Sequence, residues 1–221
     1  MRDFRINRIF EGTSEIMRLF IAREAVDTHL QVAGDLIDPR SSTGDKLGAL
    51  AKAGAFYATW LPKQYVGMSR FKYGEFGELA RHLRYIERTS RRLARTMFYA
   101  MSRYQAKLER KQAVLFRFVD IGAELYAMSG ACVRAQALRE QGEEGAKAVR
   151  LADVFCRRAR RRVEHIFDEL FKNADNSTYR LAQEVLRGEH AWLEHGAMQA
   201  VPDGVSLAPE ARATEQVGAG G

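Results

Sequence analysis

The chain has 221 residues, of which 46% are hydrophobic and 29% charged, with a net charge of +7. That composition excludes a disordered polar tail, and the lack of an apolar run of 18 or more residues excludes a helical membrane span. The basic balance favours anionic partners: nucleic acid, anionic lipid, or a phosphorylated small molecule such as a coenzyme A thioester.

The first stretch, "RINRIFEGTSEIMRLFIAR", places one acid, Glu11, between an apolar run and a helix start. No secretory signal is present, because charges interrupt "MRDFRINRIF". After Gly12 the spacing predicts a helix of about five turns, with Thr13 as N-cap, Glu15 in the first turn and a stop at Gly34. Ile16, Leu19, Phe20 and Val26 fall on one stripe. Residues 35–45 read as a linker. Residues 46–74 are apolar and rich in small residues, and lysines and aromatics flank them. Leu47, Leu50, Ala51, Gly54 and Ala58 fit one helical face there.

Three long helical patterns follow from Glu75. In the first, Leu79, Leu83, Ile86, Leu93, Met97, Met101, Tyr104 and Leu108 recur at steps of three and four, with one step doubled over Ser90. Arg84, Arg88, Arg91, Arg92 and Arg95 take the opposite face. The second runs from Gln112 to about Arg139 through Leu115, Phe118, Gly122, Leu125, Ser129 and Cys132. A turn is expected over 140–145. The third carries Leu151, Phe155, Val163, Ile166 and Leu170, and "NADNST" breaks it at 173–178. A shorter helix is expected from Tyr179 to about His195, and a disordered tail from Val201. No alternating strand pattern occurs, so the fold class is all-α, most simply an antiparallel helical bundle.

The two cysteines, Cys132 and Cys156, form no CxxC pair and read as reduced core residues of an intracellular protein. The histidines are His29, His82, His165, His190 and His195; they form no HExxH, and the last two, five positions apart, do not fall on one helix face. No metal site is expected. The arginine runs "RTSRRLARTMF" and "CRRARRRVEH" interleave with acids such as Glu87 and Glu109. They predict a solvated face or an interface with an acidic surface rather than a nucleic-acid groove. There is no P-loop, GxGxxG or nucleophile elbow.

"RIFEGTSEIMRLFIAR" resembles the C-terminal signature of acyl-CoA dehydrogenases. "QAVLFRFVDIGAELYAMSGACVRA" and, more loosely, "LADVFCRRARRRVEHIFDELF" resemble the extra C-terminal helical domain of the very-long-chain branch, which includes a complex I assembly relative. The resemblance implies the end of the dehydrogenase helical bundle in residues 1–34, a linker and an amphipathic segment in 35–74 that either docks on a membrane or packs on its own bundle or a partner subunit, an antiparallel helical bundle in 75–200 and a tail in 201–221. It makes Glu11 the base that removes the α-proton of a fatty acyl-CoA, with hydride passing to FAD and trans-2-enoyl-CoA as product. A carboxylate needs exact placement and a raised pKa for that task, and apolar Ile9 and Phe10 would help desolvate it. Gly12 would let the backbone approach the thioester. Thr13, Ser14 and Glu15 match the FAD-contacting segment, although Glu15 stands where the family commonly has glutamine.

The implied partners are the acyl-CoA, an electron-transfer flavoprotein-like acceptor, a second copy or a separate dehydrogenase portion, and a membrane surface; nucleic acid is not expected. The implied location is cytoplasmic or membrane-peripheral, mitochondrial in a eukaryote. Because Met1 falls just before the catalytic loop, the expectation is a C-terminal fragment, a truncated frame or half of a split enzyme, inactive and without bound FAD on its own. The alternative is a non-enzymatic helical module for interaction or membrane docking.

Overall fold

The computed structural model describes residues 6, 8–10, 12–37, 42–67, 72–139 and 141–193. They form six α-helices: α1 (Ser14–Ile37), α2 (Thr43–Tyr65), α3 (Ala80–Tyr104), α4 (Gln112–Leu138), α5 (Gly142–Glu169) and α6 (Asp175–Leu186), with short 3-10 turns between some of them. No strand occurs among the described residues. The bundle is all-α, as its period of three and four predicts. Residues 1–173 form one compact unit containing α1–α5, and residues 174–221 form a second containing α6. The expected tail from Val201 lies outside the described residues.

The α4–α5 hairpin is the centre of the first unit. On α4 the buried positions are Val114, Phe118, Ile121, Leu125, Met128, Cys132 and Ala135. On α5 they are Gly145, Val149, Ala152, Cys156, Ala159, Val163 and Phe167. Both series advance by steps of three and four, alternating throughout on α4 and as far as Val163 on α5, the seam of two antiparallel helices packed knobs into holes. The α5 seam differs from the expected stripe. Val163 and Leu170 are buried, but Leu151 is 72% exposed and Phe155 lies at the edge. Small residues win the seam because the backbones are close. A Cβ at Gly145 would stand 2.4 Å from the Leu138 carbonyl oxygen, so only glycine fits where the hairpin turns. The turn is correspondingly shorter than expected, since α5 already begins at Gly142.

Polar contacts border this seam on two sides. Along one, Arg162 makes a two-pronged pair with Glu124 at 2.5 and 2.7 Å. Along the other, α3 docks onto α5 through its arginines, histidine and tyrosine. Arg92 pairs with Glu164 at 2.6 Å and lies over the Phe167 ring at 3.9 Å. The Tyr85 hydroxyl donates to Glu164 at 2.7 Å. Burial first, then that bond, pushes the tyrosine pKa up to about 12, so it stays a donor. His82 is fully buried, and its Nε2 donates to Asp153 at 2.8 Å, where Arg81 and Arg157 also converge. Much of the basic face of α3 therefore contacts other helices. Its apolar stripe behaves as the spacing predicts, with Leu79, Leu83, Met97 and Leu108 in the core.

α1 runs past Gly34 to Ile37 because Gly34 keeps helical torsions and the helix remains braced by α2, whose Lys52 donates to the Gln31 carbonyl at 3.2 Å. The expected linker shrinks, and its residues 38–41 lie outside the described residues. α2 begins early because Ser42 and Asp45 form a reciprocal capping box. The packed face of α2 is not the one that carries Leu47, Leu50, Ala51, Gly54 and Ala58. Ala49 and Ala53 are buried, and Phe56, Tyr57 and Trp60 join His29 of α1 and Phe98 of α3 in one aromatic cluster. His29 and the Tyr57 hydroxyl share a 3.0 Å hydrogen bond, and burial holds the imidazole below its usual range. Leu47 and Leu50 point away from this cluster and remain exposed. In the second unit α6 starts at Asp175, inside the expected break, and has no buried residue of its own.

Two predictions follow from this packing. Ala159→Leu forces an isobutyl group into a fully buried seam position and lowers stability by about 1–3 kcal/mol, read as a lower urea midpoint with unchanged slope. The second concerns pH. Burial would raise the Asp153 carboxyl, but hydrogen bonds from His82 and Arg81, with the charges of Arg81 and Arg157, bring it to about 2. Its stabilising contribution is present above 3.8, the unfolded value, and is lost as pH falls toward about 2. Burial holds His82 below 6.5 despite Asp153, and its Nδ1 has no partner to receive a proton's hydrogen bond. The unfolded chain thus takes up a proton first, and stability begins to fall as pH drops below 6.5. Urea midpoints against pH will show both losses. Asp153→Asn removes about 2 kcal/mol at pH 7 and flattens the acid limb below pH ~4.

Candidate functional site

The Glu-Gly-Thr run leads into the N-terminus of α1. Ahead of it the Ile9 and Phe10 amides donate to the Ile6 carbonyl at 2.9 and 2.8 Å, a tight turn. Glu11 lies outside the described residues. Gly12 has φ +109°, a conformation that L side chains rarely adopt, and an added Cβ would meet the Met17 sulfur at 3.4 Å. The chain can reverse into the helix here only with glycine. Thr13 then caps α1: its Oγ1 accepts from the Ile16 amide at 3.4 Å and its carbonyl from the Met17 amide at 3.0 Å. Ser14 is half-buried. Glu15 is exposed, and its carboxyl is held below the ordinary range by its own backbone amide, then by the Thr13 hydroxyl, with Arg18 and Arg8 adding charge.

This geometry bears on a flavin. The helix start offers amides and a hydroxyl, groups suited to an anion. The Glu15 carboxylate, ionised and turned onto the same groups, competes with a diphosphate rather than binding it. The described residues around the turn form an exposed ledge, able to supply one edge of a flavin site and not its enclosure. What surrounds the turn is apolar: Ile9 and Phe10 are 75% and 66% exposed, and Ile16, Met17, Phe20 and Ile21 continue that open surface along α1. The opposite face of α1 packs inward through Ala22, Val26 and His29.

Elsewhere in the first unit, α1, α3 and α4 enclose an apolar cavity of about 400 Å³ lined by Ile21, Ala22, Leu93, Met97, Phe118 and Val119, among others. A shallower hollow on α5 and α3 is lined by Tyr85, Arg157, Arg160, Arg161 and Glu164. Among the described residues no group of three or more His, Cys, Asp or Glu could hold a metal ion. No described helix is long and apolar enough to cross a membrane. Sequence reading missed two constellations. One is the His82–Asp153–Arg81 cluster, whose members are 71 and 72 residues apart and carry no local signal. The other is the juxtaposition of Cys132 and Cys156, which becomes visible once α4 and α5 are paired in antiparallel register.

Comparison with known proteins places these features. Residues 77–189 match the family described as ACAD9/ACADV, C-terminal domain. The chain is 56% identical over 201 residues to proteins of Mycobacterium bovis and Mycobacterium tuberculosis, each described as probable acyl-CoA dehydrogenase FadE10, covering 90% of this chain and 31% of theirs. It is 28% identical over 192 residues to a probable acyl-CoA dehydrogenase of Bacillus subtilis, covering 84% of this chain and 29% of that protein. The chain thus spans about a third of the length of these relatives. No solved structure matches it significantly. The family match covers just over half of the chain, including α3, α4 and α5, and the chain belongs to the ACAD9/ACADV C-terminal domain family.

Proposed function

We propose that this chain is the C-terminal part of a flavin-dependent acyl-CoA dehydrogenase that converts long-chain fatty acyl-CoA to trans-2-enoyl-CoA, with Glu11 as the base. The observation that carries the reading is the open apolar surface of α1 and its entry turn, adjoining the Glu-Gly-Thr run. A helix buried on one face and apolar on the other is built to be covered on both. On this reading the covering body is the part of the mycobacterial relatives' length that lies outside the matched 31%. Covering Ile9 and Phe10 dries the surroundings of Glu11, which raises its pKa toward that of a useful base. Glu11 then takes the α-proton, and Gly12 lets the backbone pass close to the thioester. FAD, when bound, supplies the acceptor for the β-hydride. Thr13 and Ser14 border it through the helix start once the Glu15 carboxylate swings off those groups. The reading also includes an electron-transfer flavoprotein-like acceptor and assembly with further copies.

Purified as these 221 residues, the chain shows no flavin absorbance and no acceptor reduction with palmitoyl-CoA; bound FAD with turnover would refute its dependence on the dehydrogenase body. Grafted onto the remainder of the M. tuberculosis relative, it supports turnover. Glu11→Gln then lowers kcat by about 10²- to 10⁴-fold with flavin absorbance retained. An unchanged kcat would remove Glu11 from the base role.

A second reading, a non-enzymatic module that docks on membranes, is favoured by one observation. Leu47 and Leu50 project from the exposed face of α2, alongside Ala51, Gly54 and Ala58. Such a face suits a helix lying in a bilayer surface. On this reading the chain co-sediments with anionic vesicles, and the double change Leu47→Asp, Leu50→Asp weakens binding at least about tenfold. Unaltered sedimentation would exclude α2 as the contact.

A further inference from the structure

Cys132 of α4 and Cys156 of α5 meet midway along the hairpin seam. Both are fully buried, and their sulfurs are 3.7 Å apart. That is van der Waals contact, against about 2.05 Å for a disulfide bond. The same seam carries Ala135, Ala152 and Ala159, so the backbones run close and little separation remains to be closed. The Cys156 sulfur also lies 3.9 Å from the Met128 carbonyl oxygen, a weak contact that costs little to give up.

We infer that Cys132 and Cys156 form an oxidation site, in which a hydroperoxide converts the two thiols to an intrachain disulfide tying α4 to α5. The first step is attack of one sulfur, for instance that of Cys132, as thiolate, on the peroxide O–O bond, giving a sulfenic acid and releasing the second oxygen as water. Cys156 then attacks the sulfenic sulfur: the S–S bond forms, the S–O bond breaks, and a second water leaves with the Cys156 proton. Two thiols are oxidised by two electrons and one peroxide is reduced to two waters. Either thiol can donate across the 3.7 Å contact, so either sulfur can be oxidised first, and burial disfavours the thiolate of both. Burial makes the reaction slow, because peroxide enters only when the hairpin opens.

Burial also directs the outcome. An exposed sulfenic acid meets water, more peroxide or another molecule's thiol, whereas here the nearest nucleophile is the facing sulfur. The bond closes a loop from residue 132 to residue 156, so it restricts the unfolded chain more than the folded one.

The test uses the full 221-residue chain treated with hydrogen peroxide under native conditions. Thiols titrated after denaturation fall from two to none, and the mass falls by about 2 Da. A non-reducing tryptic map links the Cys132 peptide to the Cys156 peptide, and dithiothreitol separates them. The Tm rises by about 5–10 °C and returns on reduction. Cys132→Ala and Cys156→Ala each show no such rise, and the wild-type map stands independently if either variant folds poorly. Two thiols persisting under these conditions, a gain of about 16 or 32 Da from sulfenic or sulfinic acid, or a disulfide-linked dimer would each overturn the assignment.

Discussion

Close approach of α4 and α5 is the constraint on which the rest of the bundle depends. It requires glycine at 145, where a methyl group would collide with the Leu138 carbonyl, and alanine or cysteine at the central α5 positions. Small residues contribute little apolar area each, so the seam gains by density of contact rather than bulk. Bulk comes mainly from α4, with Phe118, Ile121, Leu125 and Met128 along the seam, and from Phe167 near the end of α5. Once the hairpin is set, α5 presents Asp153 and Glu164 in a fixed row. That row receives Arg81, His82, Tyr85 and Arg92 of α3. Docking of α3 by partly buried ion pairs and hydrogen bonds specifies its register, because a displaced helix would leave those groups desolvated and unpaired.

That arrangement gives the arginine-rich runs a physical account. Arg92 stacks on Phe167, Arg160 lies over Tyr85 at 4.4 Å, and Arg95 lies over Tyr65 at 4.6 Å. A guanidinium suits these sites because its flat, weakly hydrated face lies on a ring while its edge reaches a carboxylate. Lysine would do neither as well. High arginine content here serves contacts between helices as well as surface charge, and composition by itself cannot separate those uses.

Helix existence was legible from period, and the limits of α4 agree within a residue with the apolar pattern. The core stripe of α3 was legible too, because that helix has only one apolar face. α2 and α5 were not so constrained. Each offers two apolar faces, and hydrophobicity favours Leu47, Leu50, Leu151 and Phe155 over the alanines beside them. The packed face is chosen by the partner: an aromatic cluster built on His29 for α2, and backbone proximity for α5. The capping box at Ser42 and Asp45 was readable from spacing and simply overlooked within a stretch that reads as linker. At the candidate site, the Thr13 cap and the need for glycine at 12 follow from sequence. The local saturation of Glu15 depends on which way its side chain turns, and a string of residues does not encode that.

α1 joins the two levels of the molecule. Its inward face is fixed by Ala22 and Val26 and by the stacked pair of His29 and Tyr57, which braces it against α2. Arg18 adds a 2.8 Å bond to Asp120 of α4, below the same turn that carries Gly12. The inward face of α1 and its capped start are thereby held by a salt bridge and an aromatic stack rather than by the short turn that precedes them. The ordering cost of that helix start is met by packing against helices whose own stability rests on the α4–α5 seam.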